Sequence, residues 1–208
     1  MSSRGLGDVY KRQELEGAAA KAYQIQSRVR AMRMAWEALF INGDSNQSPS
    51  EFDGLAARIG AGSSQYFANG GGALDLSKLD EVIDNVDAQG GTKYIVCSKS
   101  ARRALTKQAR DNNQIEIARS EFGYQQTTYM GLPLLELDRD HKNVAILDSD
   151  PSAQDLYVVS FGNDHLTGIQ NGGVNVRELG ESFDRPQLIT RVEWYCGMAL
   201  INGRAAAR

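Results

Sequence analysis

The feature that most constrains this chain is a long run of helical periodicity near its start. Between Glu14 and Phe40, the residues Ile25, Val29, Met32, Trp36 and Leu39 recur at spacings of 4, 3, 4 and 3, which puts them on one stripe of a helix. Arg28, Arg30, Arg33 and Glu37 fall off that stripe. At about 1.5 Å per residue such a helix is roughly 40 Å long, long for a compact domain in a chain of 208 residues. One narrow apolar stripe over that length suits a coiled-coil partner or a strut lying along a sheet. Without further heptads the strut is the better reading. Asn42-Gly43 then supplies a stop.

Beyond the helix the chain changes character twice. Asp44–Gly72 is rich in loop formers, with Ser45, Asn46, Ser48, Pro49, Ser50 and the run Gly70-Gly71-Gly72 around a short apolar anchor, Phe52-Asp53-Gly54-Leu55. From Leu74 onward elements alternate. Asp75-Leu76-Ser77 can cap a helix through about Val86, with Leu79, Val82, Ile83 and Val86 on its inner face. Gly90-Gly91 turns the chain into a buried strand, Tyr94–Cys97. Ser98 or Ser100 can cap the next helix, which runs to about Asn112 with Ala101, Leu105 and Ala109 inward. Strands follow at Thr127–Leu137, where Pro133 suggests an edge or a bulge, then at Val144–Leu147, Leu156–Phe161 and Val174–Arg177. In Gln187–Ile201, Leu188, Val192, Trp194, Cys196, Met198 and Leu200 share one side of a single strand. No repeat at solenoid periods is present. The sum is an α+β protein with a helix–strand–helix centre and a strand-rich last third.

The opening Met1–Gln13, MSSRGLGDVYKRQ, has no apolar period and no signal-peptide core, so it reads neither as a helix face nor as a leader for export. Its last eleven residues resemble the translation of a transposase-type sequencing adapter. The segment is therefore expected to be non-native, with the natural protein beginning upstream of Glu14. Formal net charge is −3; without Arg4, Lys11, Arg12 and Asp8 it becomes −5, from 20 basic and 25 acidic residues. Such an acidic balance lacks the basic excess of a nucleic-acid-binding domain. No run of eighteen apolar residues predicts a membrane span. Cys97 and Cys196 lie far apart in apolar runs, which predicts reduced thiols.

Candidate chemistry is sparse. Cys97-Ser98-Lys99-Ser100-Ala101-Arg102-Arg103 has the C-x5-R spacing of cysteine-dependent phosphatases and sits between a strand and a helix N-terminus, where a thiol pKa falls and an oxyanion binds. The loop has no glycine to let amides wrap a phosphate, Val96 stands where that family has histidine, and Ala104 replaces its hydroxyl. A buried cysteine before a capped basic helix is the better reading. Asp44-x-Asn46-x-Ser48 begins like a calcium loop but has Pro49 and Leu55 where glycine and glutamate are needed. His141 and His165 lie in Asp/Asn-rich turns without a second ligand at zinc-like spacing, and surface positions are expected for both. Lys99, Arg102, Arg103, Lys107 and Arg110 form a basic helix face, diluted by Asp111, Glu116 and Glu121, which suits a solvated or subunit-contacting surface. No catalytic, cofactor or metal site is predicted.

Three C-terminal segments resemble the closing strands of tailed-phage major capsid proteins with the Hong Kong 97-type fold. They are Phe161–Val174, Thr190-Arg191-Val192-Glu193-Trp194-Tyr195-Cys196-Gly197-Met198-Ala199, and Asn202-Gly203-Arg204-Ala205-Ala206-Ala207-Arg208. Ile41-Asn42-Gly43-Asp44 and Phe52-Asp53-Gly54-Leu55 after a long helix are similar to that family too. The resemblance implies an α+β fold with a long spine helix, a peripheral domain with a long β-sheet and an axial α/β domain. Mapped on the chain, residues 1–13 would be the adapter-derived leader and 14–73 the spine helix and following loop of the peripheral domain. Residues 74–180 would be the axial domain, and 181–208 the return strands to the peripheral domain. Gly168–Gly173 would be a loop between packed subunits. The implied function is structural: self-assembly into an icosahedral head shell, in pentamers and hexamers, in the virion, after assembly in the host cytoplasm. Scaffold, portal or decoration proteins would be partners, and packaged DNA would be held without specific binding. The family's N-terminal arm and extended loop are not found before Glu14. An encapsulin-like shell shares the fold and is the alternative, with the cysteine phosphatase behind it.

Overall fold

The computed structural model describes residues 4–71, 74–87, 89–111, 115–119, 125–148, 150, 154–181 and 188–208. At 4–18, 115–119, 125–126, 181 and 188 it describes the backbone alone. Gly72, Asn112, Glu121 and Gln187, named above, lie outside the described residues, as do the side chains of Glu14, Glu116 and Leu188. The chain forms two compact units. One comprises Met1–Met34 with Gln170–Tyr195, the other Ala35–Ile169 with Cys196–Arg208. In the second unit Trp36, Phe40 and Ile41 join the same core as Val96, Tyr157 and Leu166.

The helix α1 spans Arg4–Asn42, 39 residues. It starts ten residues before the expected Glu14, so the opening segment is not excluded from helix. Extending a nucleated helix needs only one hydrogen bond per residue fixed, and no proline intervenes. The predicted stripe holds: Ile25, Val29, Met32, Trp36 and Leu39 are half-buried, whereas Arg28, Arg30, Arg33 and Glu37 are exposed. In the first unit, Lys21 Nζ on α1 pairs with Glu178 Oε1 at 2.6 Å. Glu178 belongs to β7 (Asn175–Glu181), which pairs antiparallel with β8 (Leu188–Glu193) in a two-stranded sheet, with a bulge between Glu178 and Gly180.

The second unit is built on an eight-stranded sheet. Its elements are α2 (Leu55–Arg58), α3 (Leu76–Asn85), β1 (Thr92–Ser98), α4 (Lys99–Asp111), β2 (Ile115–Arg119), β3 (Gln125–Tyr129), β4 (Leu132–Leu137), β5 (Tyr157–Phe161), β6 (Leu166–Gln170), β9 (Cys196–Leu200) and β10 (Ala206–Ala207). Strand order is β2-β3-β4-β1-β5-β6-β9, with β10 paired to β5 off that path. β1 runs parallel to β4 and antiparallel to β5.

Alternation along the central strands feeds two cores. Ile95, Cys97, Val158 and Ala207 face α3 and α4, meeting Leu79, Val82, Ile83, Val86, Ala101, Leu105 and Ala109. Val96, Tyr157, Val159 and Ala206 face the other way, toward Phe40, Ile41, Leu55, Ile59 and Met198. Burial on both faces is why β1 reads as an unbroken apolar run. The caps are the expected ones: Asp75 Oδ1 accepts from Ser77 N at 2.9 Å, and Ser98 Oγ accepts from Ala101 N at 3.2 Å.

Four expectations need correction. Thr127–Leu137 is a hairpin, turning at Met130 (φ 50°) and Gly131 (φ 77°), the left-handed pair of a two-residue loop. Pro133 stands opposite Thr128 in an interior strand, tolerated because pairing of β4 with β1 begins only at Leu134. Val144–Leu147 is a tight loop rather than a strand. There Asp140 Oδ1 accepts from both Lys142 N and Val144 N at 2.8 Å, leaving an isolated bridge between Arg139 and Ala145. Gly168–Gly173 is not all loop, since Leu166–Gln170 is β6. The last alternating segment is two strands, broken at Trp194-Tyr195, with β8 in the two-stranded sheet and β9 in the eight-stranded one.

Candidate functional site

The phosphatase-like motif does not assemble a nucleophile. Cys97 is wholly buried in β1. Its thiol is pushed up to about 12, first by burial and then by the Glu136 carboxylate, with Arg102 opposing weakly. A reactive cysteine needs the reverse, a pKa lowered toward neutrality in an accessible site. Arg102 is spent on Glu136 at 2.7 Å, and Arg103 points to solvent. The helix start that would cradle an anion is capped by Ser98, whose hydroxyl lies 3.0 Å from that of Ser100.

The other sequence candidates also resolve into structure. Asp44 turns its carboxylate back on its own loop, Oδ1 accepting from Asn46 N at 2.9 Å and Oδ2 from Gln47 Nε2 at 3.0 Å. Among the described residues no cluster of three or more His, Cys, Asp and Glu side chains could hold a metal ion. His141 is exposed in the Asp140 turn. His165 is not a surface residue: it is buried, and its Nε2–H donates to the Gln89 carbonyl at 2.6 Å. The ring fits only because Gly91 and Gly162 leave room; a Cβ at either would come within 2.9 or 3.2 Å of its Cδ2. Spacing alone could not reveal this, since the partner carbonyl lies 76 residues away.

What the geometry does offer are surfaces. In the first unit Val176, Leu179 and Ile189 on the β7–β8 ribbon are exposed, as are Val174 and Tyr195 just outside its strands. A two-stranded ribbon is marginal alone, and its edges leave backbone groups open for pairing. In the second unit α4 presents Arg103, Lys107 and Arg110 to solvent around a hollow of about 360 Å³ that Arg102, Thr106 and Asp111 complete.

The segments Ile41–Asp44 and Phe52–Leu55, which the sequence resemblance also covers, form a locked structural joint. Gly43 N donates to Leu39 O at 2.9 Å and Gly54 N to Gly43 O at 2.8 Å. A Cβ on Gly43 would sit 2.3 Å from Phe52 O, and one on Gly54 2.6 Å from Ile41 O. Asn42 Nδ2 donates to Ile146 O at 2.7 Å, and Asp53 Oδ1 accepts from Ser45 N at 2.9 Å. The hydrogen bonds from Ser45 hold the Asp53 carboxyl below the usual carboxylate range. At the other end Ala205, Ala206 and Ala207 are fully buried against β5.

Comparison with known proteins is consistent with an assembly protein. A solved chain described as the holo-SrpI encapsulin complex from Synechococcus elongatus PCC 7942 is 19% identical, with a TM-score of 0.68 over 88% of this chain and 62% of that one. The capsid of a native GTA particle is 15% identical, with a TM-score of 0.60 over 90% of this chain and 64% of that one. The chain thus spans less than two thirds of either, and the likeness establishes the Hong Kong 97-type fold. No curated protein sequence matches. The model of the SU10 major capsid protein family matches residues 13–132, more than half of the sequence. The chain belongs to the SU10 major capsid protein family.

Proposed function

We propose that this chain is the shell-forming body of a tailed-phage major capsid protein, which self-assembles into the icosahedral head and carries out no catalysis. The observation that carries this reading is the family match over residues 13–132. It is supported by the exposed apolar ribbon β7–β8, a surface that neighbouring copies would cover. The buried Cys97 thiol argues against the one enzymatic candidate, and the self-satisfied Asp44 loop against the calcium-loop candidate.

On this reading the unit of Met1–Met34 with Gln170–Tyr195 is the core of the peripheral domain, with α1 as its spine. The unit of Ala35–Ile169 with Cys196–Arg208 carries the axial domain, whose loops meet around pentamer and hexamer axes. The protein works in the virion after assembly in the host cytoplasm. Scaffold, portal or decoration proteins are its further partners on this reading, and a net charge of −3 suits a wall that encloses DNA without gripping it.

An encapsulin-like shell is the second reading, favoured by the TM-score of 0.68 to a cyanobacterial encapsulin. Electron microscopy of particles made from the full gene separates the two. Closed shells that fill with DNA in infected cells support the phage head. Closed shells that co-purify with a single protein cargo favour the encapsulin. Persistent monomers and dimers overturn both.

A further inference from the structure

The helices α3 and α4 lie against the same face of the eight-stranded sheet and share one core, yet their outer surfaces carry opposite charge. On α4, Arg103, Lys107 and Arg110 follow one another at i, i+4 and i+7, all exposed, and make no ion pair among the described residues. The other two cations of that helix are taken: Lys99 pairs with Asp138 and Arg102 with Glu136. Like charges at these spacings repel along an isolated helix, so the stripe works against the lone subunit.

On α3 the exposed residues include Glu81 and Asp84, with Asp75 at the N-cap. Its single cation, Lys78, pairs with Glu81 at 3.2 Å, which leaves Asp84 and Asp75 as the excess negative charge of that face. In addition, α4 touches β4 and β2 while α3 touches β10, on the other side of β1 in the strand order. A ring of identical copies closes through a head-to-tail contact, in which one patch of a subunit meets a different patch of the next.

We propose that the basic stripe of α4 in one copy docks on the acidic outer face of α3 in the next, forming the lateral contact within a ring. This rests on the shell reading, which requires such rings. Charge complementarity steers the encounter and fixes its register more than it adds raw affinity, and it weakens with salt.

Reciprocal charge reversal in the whole chain tests it. Arg103→Glu with Lys107→Glu reverses two of the three charges of the α4 stripe; Glu81→Lys with Asp84→Lys makes the α3 face basic. All four positions are exposed, and unchanged thermal melting would show that each variant folds. In sedimentation velocity at low salt, wild type should self-associate and lose association as salt rises. Each variant alone should associate about tenfold or more weakly, and their equimolar mixture should recover wild-type association. Variants that associate like wild type overturn the proposal and leave the shell reading intact. So does a duplex-DNA affinity that the α4 variant loses while its self-association is unchanged, since the stripe would then serve nucleic acid. A wild type that stays monomeric at every concentration also overturns it, and electron microscopy of the full-gene product then decides the shell reading independently.

Discussion

Arg208 grips Asp155 at two points, Nε on Oδ1 at 3.1 Å and Nη2 on Oδ2 at 2.6 Å. The guanidinium carbon also lies 5.5 Å from the ring centre of Tyr66 and 5.6 Å from that of Tyr157. The backbone closes the joint, with Arg208 N donating to Gln65 O and Phe67 N donating to Arg208 O. One residue thereby ties the last strand to β5 and to the loop after α2. A bidentate, partly buried pair of this kind is stronger than a surface salt bridge. Arg208→Ala should cost about 1–3 kcal/mol in chemical denaturation. A double-mutant cycle with Asp155→Ala should return a coupling near 1 kcal/mol. Additive single effects would show that the grip contributes only through packing on the two tyrosines.

Gly43 and Gly54 stand where two backbone segments cross. A Cβ on either would lie 2.6 Å or less from carbonyl oxygens of other segments, and backbone oxygens cannot rotate away. Gly43→Ala should therefore destabilise the fold by about 3 kcal/mol or more, through forced separation of α1 from the Phe52–Gly54 strand of chain. Gly60 has nothing within 4 Å of its would-be Cβ, so Gly60→Ala should stay within about 0.5 kcal/mol of wild type. Equal melting temperatures for the two variants would contradict this account.

These glycines show what was legible in the sequence. Ile41-Asn42-Gly43-Asp44 and Phe52-Asp53-Gly54-Leu55 carried a recognisable pattern because close backbone approach admits only one residue type. The α1 stripe, the faces of α3 and α4, and their Asp75 and Ser98 caps were legible because helical periodicity and capping are local. What escaped was non-local. Alternation from Leu188 to Leu200 continues across Trp194-Tyr195, although the strand does not, because period 2 says nothing about which sheet a strand joins. His165 looked like a surface residue because its partner, Gln89 O, comes from another part of the chain. The basic face of α4 was legible from charge pattern alone, but what it meets was not, since contact faces have no short motif.

The β3–β4 turn places Met130 at φ 50° with its side chain largely exposed. A left-handed conformation strains an unbranched apolar residue, while asparagine adopts it readily at this position of a two-residue hairpin loop. Met130→Asn should stabilise the protein by a few tenths to about 1 kcal/mol, read as a raised midpoint in urea at unchanged slope. Gly131, at φ 77°, should respond in the opposite sense to alanine. A destabilised Met130→Asn variant would mean that the methionine makes contacts in the isolated subunit that its exposure conceals.

Three buried acids make the fold vulnerable to alkali. Burial pushes Cys97 from 9.0 up to about 12 and Tyr157 from 10.0 up to about 12. Tyr129 is also pushed up to about 12, by burial and by donating its hydroxyl to Asp80 at 2.9 Å. In each case the folded state holds a proton that the unfolded chain releases more readily. The stability associated with these groups is therefore fully present below the unfolded values and is lost as pH rises toward 12. Loss should begin near pH 9, where Cys97 contributes most and the Cys196 thiol, also raised by burial, adds to it, and steepen above pH 10 when the tyrosines join. The limiting slope is about 1.4 kcal/mol per pH unit for each group. Cys97→Ala should flatten the pH 9–10 portion of a denaturation midpoint-against-pH curve while leaving the steeper limb above pH 10. The same thiol should resist alkylation in the native protein at pH 8 and react once the chain is unfolded. Fast native labelling at Cys97, or a pH 9–10 slope unaltered in the variant, would show that the thiol is not sealed in the core as the packing around β1 requires.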